Sequence, residues 1–90
     1  MALVRIPTPL RGFTCQQSEV RVPGASVGEV LRNLEKAHPG LGARLFDDRG
    51  GLRRYVNVFL NEEDIRGLKE LETPVAENDA LSILTAIAGG

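Results

Sequence analysis

The sequence predicts an α+β domain with one helix over one face of a single sheet. Three observations carry this. One stretch alone has a helical apolar stripe bounded by a start and a stop signal, short runs elsewhere alternate apolar and polar residues as strands do, and a run near the end is apolar on both parities. Ninety residues suffice for one core and no second domain. No internal repeat, linker or low-complexity segment divides them.

Val4 and Ile6 alternate with Leu3 and Arg5, and Val20 and Val22 alternate with Glu19 and Arg21. The two short strands are joined by about ten residues that include Pro9, Gly12 and Cys15, which suits an antiparallel hairpin with a wide loop better than a two-residue turn. Ser26-Val27-Gly28-Glu29 fits a capping box, in which a serine oxygen accepts a first-turn N–H while the glutamate reaches back. Val27, Val30, Leu31, Leu34 and His38 then trace one helical face to a stop at Pro39-Gly40, with Arg32, Asn33, Glu35 and Lys36 on the wet side. Gly28, in the first turn, is expected to let a strand approach closely.

Leu41 and Leu45 predict a short helical turn before the Asp47-Asp48-Arg49-Gly50-Gly51 loop. Tyr55 to Leu60 is the strongest strand, with Val56, Val58 and Leu60 inward and Tyr55, Asn57 and Phe59 on the opposite face. Asn61 to Asp64 is a polar turn, Ile65 and Leu68 to Leu71 offer apolar cover, and Glu77-Asn78-Asp79 is a second turn. Ala80 to Ala86, apolar on both parities, reads as a central strand. One helix covers one face, so Tyr55, Phe59 and the outward parity of the last strand, Leu84 with Ile87 beyond it, form a candidate apolar docking patch.

Eleven basic residues against twelve acidic ones give a formal charge of −1, so no overall field favours a phosphate backbone and nucleic acid is not expected as a partner. No run approaches the roughly 20 apolar residues of a membrane helix. A single cysteine and the absence of a signal-like apolar segment point to the cytoplasm. Cys15 is read as an ordinary thiol and His38 as a helix-end residue that favours the macrodipole. Asp47-Asp48 and Glu62-Glu63-Asp64 lack the spacing of a calcium loop, Ser26 is a cap, and Gly50-Gly51 is a turn. No metal or cofactor site is expected in the chain.

The ending Ala88-Gly89-Gly90 is the chemical candidate. Residues 1–86 read as the domain and 87–90 as a flexible tail. Two glycines carry no Cβ, so their peptide units fit a channel too narrow for other residues, with the α-carboxylate of Gly90 at the tip. Such a carboxylate becomes an electrophile once adenylated. A frayed terminus is the alternative.

Several segments together resemble the ubiquitin-like sulfur carriers of the MoaD/ThiS family. They are Ile6-Pro7-Thr8 with Leu10-Arg11, the helix entry Val27-Gly28-Glu29-Val30, the run from Arg54 through Tyr55-Val56-Asn57-Val58-Phe59-Leu60-Asn61-Glu62-Glu63-Asp64-Ile65 to Arg66, and Ile83-Leu84 ahead of Ala86-Ile87-Ala88-Gly89-Gly90. The Arg54–Arg66 run is most similar to carriers of the CysO type, which serve cysteine biosynthesis. Asn78-Asp79 and Thr85 stand where family members often have Gly-Asp and proline.

The resemblance implies a β-grasp fold, a mixed sheet with one main helix on one face. It implies that a ubiquitin-activating-type adenylyltransferase uses ATP to adenylate Gly90, and that a sulfur donor converts it to a thiocarboxylate. The sulfur acceptor would be a pyridoxal-phosphate cysteine synthase, with a metallopeptidase releasing the product. The chain would then be a protein co-substrate and not an enzyme, with Ala88, Gly89 and Gly90 threading the partner and Tyr55, Phe59, Leu84 and Ile87 docking. Two other roles fit the same ending: a molybdopterin synthase small subunit, whose tail inserts into the large subunit, and a protein modifier that forms isopeptide bonds.

Overall fold

The computed structural model describes residues 1–85. Its strands are β1 (Ala2–Arg5), β2 (Glu19–Val22), β3 (Val56–Leu60), β4 (Glu63–Asp64) and β5 (Ala80–Thr85), with helices α1 (Val27–Ala37) and α2 (Leu41–Leu45). They form one sheet in the order β2-β1-β5-β3-β4. β1 and β2 are an antiparallel pair, β5 lies parallel to β1, and β3 is antiparallel to β5 and β4. The sheet is therefore mixed, and its central strand is the one apolar on both parities.

Alternation sorts the sheet's side chains. Val4, Val58, Leu81 and Ile83 point into the core with Val30, Leu31 and Leu34 of α1. Each fully buried aliphatic side chain contributes about 1.5–3 kcal/mol relative to exposure. Leu41 and Leu45 of α2 are buried as well, as their spacing predicted.

The hairpin loop is more ordered than its composition suggested. Thr8–Phe13 form a 3-10 helix that buries Leu10, while Cys15 and Gln16 adopt left-handed backbone at φ 53° and 66°. Buried Thr14 is satisfied because its hydroxyl meets the carbonyls of Arg11 and Gln17.

At the start of α1, Ser26 Oγ accepts from the Glu29 N–H as expected. The Glu29 carboxylate reaches one residue further back than a standard capping box, accepting from Ala25 N–H. Gly28 does sit at a close approach, but to the 3-10 turn 70–72 and not to a strand. A Cβ there would lie 3.1 Å from the Leu71 carbonyl oxygen. The same neighbourhood is stitched by Val27 N–H to the Thr73 carbonyl and Val75 N–H to the Ala25 carbonyl.

Of the cover expected from residues 65 and 68–71, Ile65 is buried and Leu71 packs against the core. Leu68 is 39% exposed, because the chain turns through two separate 3-10 segments, Ile65–Gly67 and Glu70–Glu72, instead of presenting one continuous face.

Candidate functional site

The candidate site is the end of β5. Thr85, the last described residue, is the Cα partner of Val56, the first residue of β3. Residues 86–90 continue from this point, so Ile87, Ala88, Gly89 and Gly90 lie outside the described residues.

Among the described residues, the docking candidates Tyr55, Phe59 and Leu84 do not stand side by side on one apolar face. Leu84 is 49% exposed and lies opposite Asn57, while half-buried Phe59 lies opposite Ser82. These two apolar side chains share a face as diagonal neighbours. Tyr55 precedes the strand and, half-buried, packs against the core cluster. Further out, the row across β2, β1, β5, β3 and β4 reads Glu19, Arg5, Ser82, Phe59, Asp64. Arg5 and Glu19 approach to 3.7 Å. The helix-free face is thus a small apolar island within a polar frame, narrower than the patch anticipated from alternation.

The strand parity that turns Phe59 to the helix-free face could be read from sequence, but the contribution of Arg66 could not. Its Nη2 donates to the carbonyls of Val56 at 3.2 Å and Arg54 at 3.4 Å, clasping the outer edge of β3 beside the tail's root. Asp64 positions the turn that carries it by accepting from the Arg66 N–H. The signal was present only as the two arginines that bracket the Arg54–Arg66 run.

The remaining polar groups have local roles. Asp47 Oδ1 accepts from the Arg49 and Gly51 N–H groups, closing its loop as a solvated turn. Cys15 is an exposed free thiol. At the opposite end of β5 the Met1 ammonium holds the Glu77 carboxyl below the usual carboxylate range, by a hydrogen bond and then by its charge. Among the described residues no group of three or more His, Cys, Asp or Glu is placed to hold a metal, and no helix is long and apolar enough to cross a membrane.

Comparison with known proteins bears on this arrangement. The chain is 42% identical to the sulfur carrier protein CysO of Mycobacterium tuberculosis over 89 residues, covering 97% of this chain and 96% of that protein. It is 39% identical over 66 residues to small archaeal modifier protein 3 of Haloferax volcanii, covering 73% of this chain and 71% of the relative. Its fold matches a chain of the Amycolatopsis orientalis BexX/CysO complex with TM-score 0.93 and 41% identity, covering 100% of both chains. The model of the ThiS family matches residues 4–90. With its mixed five-stranded sheet, its single main helix and a match that runs through both terminal glycines, the chain belongs to the ThiS family.

Proposed function

We propose that the chain is a ubiquitin-like sulfur carrier whose reactive group is the Gly90 carboxylate. The observation that carries this reading is the near full-length likeness to CysO carriers, in a domain whose central strand ends at Thr85, five residues before Gly90 in the sequence. The domain presents the terminus, and a partner enzyme does the chemistry. Attack of the carboxylate on ATP gives an acyl-adenylate and releases pyrophosphate. A sulfur nucleophile then displaces AMP and leaves a thiocarboxylate. Two glycines suit the last step of delivery, since a channel closed tightly on the backbone excludes water from the adenylate and leaves no room for a Cβ.

In this reading the chain acts as a protein co-substrate, with ATP bound by the activating partner. The acceptor is a pyridoxal-phosphate cysteine synthase, and a metallopeptidase frees the product from the carrier. Phe59 and Leu84 supply the apolar contact beside the tail. Incubating the chain with ATP, sulfide and a lysate of its source cells tests this by intact mass. The expected product is heavier by the difference between one sulfur and one oxygen, and a thiol-reactive alkylator adds one more group to it than to the unactivated chain, in which Cys15 alone reacts. A chain recovered at its original mass, from a lysate shown to adenylate it, contradicts the reading.

The likeness to a small archaeal modifier protein favours a second reading, in which activated Gly90 acylates lysine amines of other proteins. The same incubation separates the two. Conjugates of higher mass carrying Gly90 in isopeptide linkage identify a modifier, whereas a thiocarboxylate without conjugates identifies a carrier.

A further inference from the structure

The two ends of the Arg54–Arg66 run meet in the fold. Arg66 Nη2 donates to the carbonyls of Arg54 and Val56, and Val56 is paired with Thr85 at the root of the tail. A guanidinium carries five N–H donors. Among the described residues, Nε and Nη1 have no hydrogen-bond partner and no carboxylate lies within ion-pair distance of Arg66. Its side chain is exposed. A positive charge is therefore oriented by backbone carbonyls at the start of β3, one strand away from β5, with Nε and Nη1 unpaired among the described residues.

The location matters because of reach. Fully extended, residues 86–90 span at most about 17 Å. An enzyme that grips the terminus in a channel must bring the mouth of that channel against this end of the sheet, where Arg66 stands. We infer that Arg66 is a pre-oriented cation for a carboxylate side chain at the channel mouth of the activating enzyme. This rests on the sulfur-carrier reading. With Nη2 held on the backbone, a free Nε–H or Nη1–H gives the carboxylate one charge-assisted hydrogen bond from a planar cation whose orientation is already set, which a flexible lysine ammonium does not reproduce. Anchoring the guanidinium beforehand lowers the ordering cost when the partner arrives. The role is one of positioning, since Arg66 touches no reacting atom.

The test measures initial rates of thiocarboxylate formation at varied carrier concentration, in a fixed amount of source-cell lysate with ATP and sulfide. Arg66→Ala should raise the apparent KM about tenfold, the loss expected for one charge-assisted pair, with the maximal rate unchanged. Arg66→Lys, which keeps the charge but not the planar, backbone-anchored group, should recover only part of that loss. Arg54→Ala, which keeps the backbone acceptor and removes a neighbouring charge, should behave as wild type. Amide exchange at Val56 and Thr85 monitors whether either Arg66 variant loosens the strand ends. If the alanine variant does, the lysine variant decides: protected amides with a raised KM support the pre-oriented cation.

Wild-type KM in a folded Arg66→Ala or Arg66→Lys overturns the pre-oriented cation, as does an equal loss in Arg54→Ala, which would mean that general charge is being read. A wild-type chain that never acquires sulfur, in lysate that adenylates it, overturns the carrier reading itself.

Discussion

The two faces of the sheet are built from the same strands and obey different rules. On β5, Leu81 and Ile83 are fully buried against the helix, while one residue along the strand Ser82 is half-buried and Leu84 is 49% exposed. On β3 the same division separates Val56 and Val58 from Asn57 and Phe59. The helix-covered face is specified by volume, since each side chain must fill space left by its neighbours. The open face is specified by what may come to it: an apolar island of Phe59 and Leu84, framed by polar pairs such as Arg5 and Glu19. Substitutions on the first face should therefore change stability, and substitutions on the second should change recognition.

The largest effect on folding should come from Leu81→Ala. It empties a site at the centre of the central strand and should cost about 2–5 kcal/mol, measurable by urea unfolding. A loss no greater than that of Leu84→Ala would erase the distinction between the faces. Next is Gly24→Ala, where a Cβ would stand 2.7 Å from the Val30 backbone nitrogen and 2.9 Å from its Cα. Backbone at the start of α1 must shift, so a destabilisation of about 1–3 kcal/mol is expected, again by denaturant midpoint. Phe59→Glu has the smallest expected effect on folding. It should leave the melting temperature near that of wild type and weaken binding to the activating enzyme by about 1–3 kcal/mol. A collapsed melting temperature would show that Phe59 belongs with the core, and unchanged binding would show that the partner docks elsewhere.

The parts of the molecule legible in sequence are those whose signal is local. Ser26 to His38 carries its own cap, stripe and stop, and α1 follows it from Val27 to Ala37. The alternation of Val56, Val58 and Leu60 likewise gave the correct inward parity. What could not be read depends on residues distant in the chain. The parallel pairing of β1 with β5 joins Leu3 to Ala80, Gly28 is shaped by Leu71, and Arg66 finds its acceptors back at Arg54 and Val56. Tyr55 shows the limit of parity itself. Alternation holds only while the strand lasts, and Tyr55 lies just before it, where the chain turns in against the core. The open face was overestimated for a related reason, because sequence gives which side chains point outward but not which polar neighbours stand across from them.

The central claim is that the chemistry resides in the Gly90 carboxylate while the domain only presents it. Adding one alanine after Gly90 tests this most directly, because it leaves every described residue unchanged and moves the carboxylate onto a different residue, one peptide unit further along and carrying a Cβ. ATP–pyrophosphate exchange with the activating enzyme should be abolished in the extended chain, confirmed intact by mass, while its melting temperature equals that of wild type. Exchange at the wild-type rate would contradict the account.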